Sequence, residues 1–245
     1  MNLLLKTYGV CDIGLKKPNN EDMILLGNDI FRDDSREYEF DTSQTVVIAI
    51  ADGIGGFEKG EVASEIVLTR LRDMLYKIPD DLSYDELKEV FDVYTQETHN
   101  SITQGGSTLV GLLVYQGRVF RYHAGDSRIY FLKNRGLRRL TVDHSLKESG
   151  GNPNAPSNII INSLGGGKIA FIDFAEINQP LCNADMYLLS SDGLHDLVAP
   201  DILSDVLNTP ESDLGMPYAE KLLQLAKEAG GKDNISIITV KIQGV

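Results

Sequence analysis

Short apolar runs that end at Gly or Asp constrain the fold of this chain more than any other feature. The run from 46 to 51 is nearly all apolar, which predicts a strand buried on both faces. Further strands are predicted at 109–115, 119–122, 128–133, 138–140, 187–190 and 235–242. The turns at 116–117 and around 134–136 are short, which favours antiparallel pairing of the runs that they join.

Helices are predicted where apolar residues recur at three- and four-residue steps. This spacing covers 58–78 and 85–102, and later 201–207 and 218–229, where Gly230-Gly231 provides a C-terminal stop. In the first helix the repeating residues are Val62, Ile66, Val67, Leu71, Met74, Leu75 and Ile78. The charged segment 32–37 is interpreted as a solvated surface turn. Helices packed on mainly antiparallel sheet predict an α+β layered domain.

Length and charge exclude several classes of protein. The 245 residues suit one large domain or at most two small ones. The net charge of −13 argues against nucleic acid and anionic membranes, because both would repel the chain. The two cysteines, Cys11 and Cys182, lack CxxC spacing and fit a reducing cytosol. No run approaches the ~18–20 apolar residues of a membrane span, and the N-terminal run is too short for a signal sequence. We therefore expect a soluble, cytoplasmic protein.

Four aspartates stand at the ends of predicted strands: Asp52, Asp192, Asp233 and Asp126. Each alone is about as well explained by an ordinary turn, and Asp126 by a bend or bulge inside a hairpin. If they converge at one pole of a sheet, mutual repulsion raises their pKa values or requires cations. Hard divalent ions, held by carboxylates and by the Gly53 carbonyl, are the usual machinery for phosphoryl displacement by water. The pattern predicts a hydrolase of phosphate esters with two bound cations.

A series of short motifs runs along nearly the whole chain in a fixed order. In sequence they are Asn19-Asn20-Glu21-Asp22, Ala51-Asp52-Gly53-Ile54-Gly55-Gly56, Gly60-Glu61-Val62-Ala63-Ser64, Gly106-Ser107-Thr108-Leu109-Val110, Ala124-Gly125-Asp126-Ser127-Arg128, Leu140-Thr141-Val142-Asp143-His144-Ser145-Leu146, Ser191-Asp192-Gly193-Leu194 and Asp233-Asn234-Ile235. Any one of them is a weak signal, but the ordered set is specific. In this order the chain resembles the metal-dependent PPM family of protein phosphatases, the protein phosphatase 2C type, in its compact bacterial form.

The resemblance implies a four-layer α-β-β-α sandwich of two mainly antiparallel sheets flanked by helices, formed by residues 1–245 as a single domain. A flap is expected at about 144–160. The implied activity is hydrolysis of phosphoserine and phosphothreonine in proteins, by direct attack of a hydroxide that bridges two metal ions. The implied partners are phosphoprotein substrates and an opposing Ser/Thr kinase, and a monomer is expected.

The family pattern also assigns the metal ligands. Asp52 would bridge two tightly bound Mn²⁺ or Mg²⁺ ions, and Gly53 would add its carbonyl. Asp192 and Asp233 would hold the other sides of the ions.

Other residues of the pattern lie around this pair of ions. Glu21 and Asp22 would sit beside the metals and fix bound waters, and Asp126 would help to hold a third, weaker ion. Lys17 stands where many members carry an Arg that grips the substrate phosphate. A Lys supplies the positive charge without the bidentate fork, so Lys16 is an alternative contributor.

Some alternatives stay open at this level. Ile54 replaces a His of the eukaryotic relatives, which makes His144 and His195 candidates for protonating the leaving group, although each is better explained as a structural residue. The change at Lys17 motivates a phosphoprotein-binding pseudophosphatase. A phosphatase acting on an anti-sigma antagonist is a third hypothesis. A haloacid dehalogenase type would need an early DxD loop, which the chain lacks.

Overall fold

Two six-stranded sheets form the centre of the computed structural model, which describes residues 3–55, 59–148, 154–155, 159–167, 170–179 and 181–244. The strands are β1 (Leu3–Asp12), β2 (Met23–Leu26), β3 (Asp29–Phe31), β4 (Asp34–Asp41), β5 (Val46–Ala51), β6 (Gly53–Ile54), β7 (Gly106–Ser107), β8 (Leu109–Tyr115), β9 (Arg118–Ala124), β10 (Arg128–Lys133), β11 (Gly136–Arg139), β12 (Asp173–Glu176), β13 (Met186–Ser190) and β14 (Ile235–Gly244). One sheet has the order β11-β10-β13-β14-β1-β4, and the other has the order β12-β9-β8-β5-β2-β3. The pairings between these strands are antiparallel, as the short turns predicted.

Helices cover the outer face of each sheet. They are α1 (Lys59–Leu75), α2 (Tyr84–Ser101), α3 (Asp192–His195), α4 (Pro200–Asn208), α5 (Glu211–Leu214) and α6 (Tyr218–Glu228). α1 and α2 pack on the sheet that contains β5, through residues such as Leu68 and Phe91. α4 and α6 pack on the sheet that contains β14, through Leu203 and Leu222. The result is the expected α-β-β-α sandwich, with a further apolar layer between the two sheets.

The hydrophobic pattern predicted the central strands well. All six residues of β5 are buried, since its two faces meet the helices and the other sheet. The β10–β11 turn places Asn134 and Arg135 at φ 51° and 66°, and the β8–β9 turn has Gln116 and Gly117 at 53° and 71°. Positive φ at both central residues is the signature of the tight turn that matches strand twist.

Three expectations were wrong. The segment 32–37 is not simply a surface turn, because β4 begins at Asp34 and pairs with β1 at the sheet edge. Charged side chains commonly protect an edge strand, and here they made a strand look like a loop. The Asp126 bend is not inside a hairpin, since β9 and β10 belong to different sheets.

The third wrong expectation concerns the first helix. α1 ends at Leu75 rather than at residue 78, because Pro79 disfavours helical backbone in the residue before it. Val62, assigned to the apolar face, is 53% exposed.

The expected flap is described only in part. Of residues 144–160, residues 149–153 and 156–158 lie outside the described residues, as does most of the Gly150–Pro156 run. The chain on both sides of the flap is described. Leu146 N–H donates to Ile159 O at 2.8 Å, and Ser145 and Ile160 form an isolated antiparallel β-bridge. Among the helices in the described ranges, none is both long and apolar enough to cross a membrane.

Candidate metal centre

Asp52 leaves the buried strand β5 at the mouth of the site. Its backbone is held on both sides by Thr108, whose Oγ1 accepts from Asp52 N–H at 3.1 Å and whose N–H donates to Asp52 O at 2.8 Å. Gly53 follows, and its N–H donates to Glu21 O at 3.2 Å. A Cβ at Gly53 would overlap Gly60 O and lie 2.7 Å from Glu21 O. Only glycine therefore lets the strand bearing Asp52 approach Glu21 this closely.

Asp192 begins α3 directly after strand β13. The preceding Ser191 is fully buried, and its Oγ accepts from Ser236 N–H at 3.0 Å while donating to Asp22 Oδ2 at 2.8 Å. A Cβ at Gly193 would overlap Asn234 O, so α3 lies tightly against the start of β14. Ser191 thus fixes the start of α3 and the Asp22 carboxylate at the same time.

Asn234 braces the segment that carries Glu21, and its importance was missed in the sequence. Its Oδ1 accepts from Glu21 N–H at 2.9 Å, and its Nδ2 donates at 3.0 Å to both Ile13 O and Asn19 O. The only sequence signal was its place in the motif after Asp233. Its role is tertiary, because it joins segments more than 210 residues apart.

Asp126 reaches the site from the connection between the two sheets. Its side chain is only 7% exposed, and Oδ1 is buried without a hydrogen-bond partner. Glu21 is also 7% exposed, and its Oε1 is likewise buried without a hydrogen-bond partner. A buried carboxylate oxygen without a partner is costly, so both atoms indicate a missing cationic or donor group.

Electrostatics shows that the predicted aspartates converge. Burial and then the charges of Asp22, Asp192, Asp126 and Asp233 raise the pKa of Asp52 well above its usual value. Burial, Asp126 and Asp233 do the same to the pKa of Asp192.

Two more carboxyl groups share this environment. Burial raises the pKa of Asp22 to about 6, against hydrogen bonds from Ser236 and Ser191, and burial and then Asp143 raise the pKa of Asp126 to about 6. Asp196, which was not predicted, adds negative charge near both Asp126 and Asp192.

Lys17 does not stand apart as a free phosphate-binding group. Its Nζ lies 2.6 Å from Asp233 Oδ1, and both side chains are over a third exposed. The neighbouring Lys16 is exposed. Both candidate histidines are buried: His195 Nδ1 lies 2.9 Å from Ser190 Oγ, and the ring of His144 stacks on His123. They fit the structural interpretation.

The donor set fits hard divalent cations. It consists of carboxylate oxygens with raised pKa values and two partnerless buried oxygens, which suits Mn²⁺ or Mg²⁺ rather than Zn²⁺. Within the described ranges, no three His, Cys, Asp or Glu side chains are already arranged around one point as metal ligands. Two of the carboxylates have other partners, since Asp22 accepts from Ser191 and Asp233 pairs with Lys17. An ion that binds Asp233 Oδ1 therefore displaces Lys17, whereas the Ser191–Asp22 bond can stay in place.

Comparison with known proteins agrees with this geometry. The family described as Protein phosphatase 2C matches residues 26–222. A serine/threonine phosphatase of Listeria welshimeri is 32% identical over 231 residues, which cover 85% of this chain and 89% of that protein.

Solved structures have the same fold. The Streptococcus agalactiae serine/threonine phosphatase superposes with a TM-score of 0.79 at 24% identity, covering 97% of this chain and 99% of that one. The catalytic domain of the phosphatase PstP, in complex with two manganese ions, gives 0.73 at 26% identity, covering 99% and 100%. From its sequence, fold and cluster of carboxylates, the chain belongs to the protein phosphatase 2C family.

Proposed function

We propose that Asp52, Asp192 and Asp233, with the Gly53 carbonyl, hold two Mn²⁺ or Mg²⁺ ions for the hydrolysis of phosphoserine and phosphothreonine in proteins. As a protein phosphatase 2C, the chain is a metal-dependent protein serine/threonine phosphatase. Asp126 contributes to a third, weaker ion.

One observation carries this proposal: the charges of carboxylates from separate strand ends, together with burial, raise the pKa values of Asp52 and Asp192. Asp52 experiences the charges of four other aspartates, and binding either protons or cations relieves the repulsion in such a cluster. The partnerless oxygens of Glu21 and Asp126 lie among the same motifs. The repulsion between these carboxylates is an argument for bound cations that is independent of the family resemblance.

The chain's own residues prepare the site. Divalent ions, when bound, provide a nucleophile from water and neutralise phosphate charge. Glu21 and Asp22 are placed by Asn234 and Ser191 to orient waters beside the ions. Lys17 supplies a positive charge beside the metal centre. Once an ion binds Asp233, the Lys17 side chain is released from Asp233 and can contact the substrate phosphate.

The pseudophosphatase alternative finds no support among the relatives, which are named as phosphatases. The aspartates that a binding-only module could lose are all present at Asp52, Asp192 and Asp233.

The finer aspects of the biology stay part of the proposal. We expect phosphoprotein substrates that an opposing Ser/Thr kinase produces, a monomer, a cytoplasmic location, and a single domain over residues 1–245. The net charge of −13 favours substrates that carry basic residues beside the phosphate.

The test is phosphate release from p-nitrophenyl phosphate and from phosphoserine and phosphothreonine peptides, with and without Mn²⁺. Wild type should turn over only with the ion, and Asp233→Asn should lose most activity. Asp205→Asn is the matched control, because this substitution removes the same charge from an exposed position on α4. An inactive wild type, or equal activity of the two variants, contradicts the proposal.

A further inference from the structure

His144 joins the Asp126 turn to the rest of the chain through one ring nitrogen. Its Nδ1 accepts from Gly125 N–H at 3.2 Å and from Asn162 Nδ2 at 2.8 Å. The backbone adds another link, because His144 N–H donates to Gly125 O at 2.9 Å. Both polar groups of the residue before Asp126 are thus bonded to His144.

The turn is confined from the opposite side as well. Gly125 has φ +111°, and a Cβ there would lie 2.7 Å from Thr108 Cγ2. Thr108 also bonds Ser127 Oγ at 2.9 Å and holds the backbone of Asp52. The peptide that leads into Asp126 is therefore held between Thr108 and His144.

Asn162 has its side chain orientation fixed by Phe171. Its Oδ1 accepts from Phe171 N–H at 3.2 Å, and its Nδ2 donates to Phe171 O at 2.9 Å. The amide nitrogen therefore faces His144, and the ring nitrogen that it meets must be unprotonated. Burial lowers the pKa of His144 to about 4, in keeping with a neutral ring that carries its proton on Nε2.

The chain on both sides of the expected flap meets at this residue. Ile161 N–H donates to His144 O at 2.8 Å, directly before Asn162. The His144 ring itself stacks on the buried His123 with 4.4 Å between centroids, and lies 4.7 Å from the Phe171 ring. Packing alone would not require both Gly125 N–H and Asn162 Nδ2 to donate to His144 Nδ1.

We propose that His144 is a positioning residue for Asp126: its Nδ1, with Asn162 as the second donor, fixes the turn that aims the Asp126 carboxylate into the metal centre. This inference rests on the proposed function, since Asp126 acts there on the weakest ion. His144 acts through the Gly125 peptide, to which its Nδ1 and its backbone N–H are both bonded.

The experiment compares His144→Leu with His144→Asn. The two side chains are close in size, and both lose the stacking on His123. They differ because the Asn oxygen, bonded to Cγ as Nδ1 is, can accept from Gly125 N–H, whereas Leu cannot. If His144 served only packing, Leu would do at least as well, because Asn buries an additional amide.

Two measurements are made on the full chain. One is the exchange rate of the Gly125 amide hydrogen, followed by NMR without Mn²⁺. The other is calorimetric Mn²⁺ titration of the weakest site. We expect faster exchange and about 10-fold weaker binding in His144→Leu, the loss typical of a broken contact behind a metal ligand. His144→Asn should stay close to wild type in both.

His99→Leu is the matched control. His99 Nδ1 accepts from Gly165 N–H at 3.0 Å, a bond of the same kind that does not touch the Asp126 turn. Binding of the weakest ion should be unchanged in this variant. An equal loss in His99→Leu, or His144→Leu matching His144→Asn, overturns the positioning role. If wild type releases no phosphate with Mn²⁺, the proposed function fails, while Gly125 exchange still decides the role of His144.

Discussion

The ammonium of Lys17 lies 2.6 Å from Asp233 Oδ1, so a residue expected to grip substrate phosphate is paired with an expected metal ligand. Burial lowers the pKa of Lys17, but the bond to Asp233 and the charges of Asp233, Asp52 and Glu21 together raise it above the usual value. Lys17 is therefore protonated. An ion that binds Asp233 Oδ1 therefore has to compete with the Lys17 ammonium. This relationship leads to the first prediction.

Replacing Lys17 by Met should tighten Mn²⁺ binding, because the ion no longer competes with the ammonium for Asp233. An exposed ion pair contributes ~0.2–1 kcal/mol, so the expected gain in affinity is about 1.4–5-fold. Calorimetric titration measures it. Lys16→Met removes the same charge one residue away and should leave the affinity near wild type. Affinity in Lys17→Met no better than in Lys16→Met would contradict the competition.

The same substitution should weaken the grip on substrate. We expect Lys17→Met to raise KM for a phosphothreonine peptide, with Lys17→Arg restoring it, because Arg adds a bidentate contact to phosphate. Steady-state kinetics at saturating Mn²⁺ separates KM from kcat. An unchanged KM in Lys17→Met would assign phosphate binding to another group.

Asp192→Asn should separate metal-free stability from metal binding. Without ions, the mutation relieves the repulsion that raises the pKa of Asp192, so the metal-free Tm should rise. The Tm increase that Mn²⁺ gives wild type should largely disappear, since binding to the folded state is lost. Thermal unfolding with EDTA and with Mn²⁺ gives both values. A lower metal-free Tm, together with a preserved Mn²⁺ effect, would argue against the ligand role.

Gly53→Ala should destabilise the chain through steric overlap. The new Cβ meets Gly60 O and lies 2.7 Å from Glu21 O, and such overpacking costs about 1–3 kcal/mol. Gly136→Ala is the matched control, because its Cβ would be 3.4 Å from the nearest atom, Lys133 O. Urea unfolding with EDTA present compares the two. Equal stability of both variants would mean that the Gly53 approach is not tight.

The buried His123 should make folding stability fall at acid pH. Burial lowers its pKa in the folded state, against the bond to Val142 O, so the unfolded chain binds the proton more readily. This contribution is complete above about pH 6.5 and declines below it by up to about 1.4 kcal/mol per pH unit. His123→Phe keeps an aromatic ring against His144 and should make the pH dependence between about 6.5 and 5 shallower, while the buried His144 and His195, whose pKa values burial also lowers, still contribute. Urea unfolding at several pH values measures the difference. If the free energy of unfolding has the same slope against pH in both proteins, the contribution of His123 is contradicted.

Much of the fold was readable because the central strands are buried on both faces. The runs at β5, β8 and β10 were predicted with the bounds that the structure has. The edge strand β4 was not predicted, because charged residues along it concealed it, and neither was β1, which lies between β14 and β4 and has no continuous apolar run. Edge pairing depends on the neighbouring strand, which local sequence does not contain.

The positions of the carboxylates at strand ends could be predicted from the sequence alone, and the order of their motifs identified the family. The folded structure was needed to show that Asp126 lies on the connection between the sheets and that Lys17 forms an ion pair with Asp233. It also revealed Asn234 and His144 as the residues that hold these segments in place. Strand identity follows from a local periodicity of side chains, whereas the contacts of a buried polar group depend on segments that meet only in the folded chain.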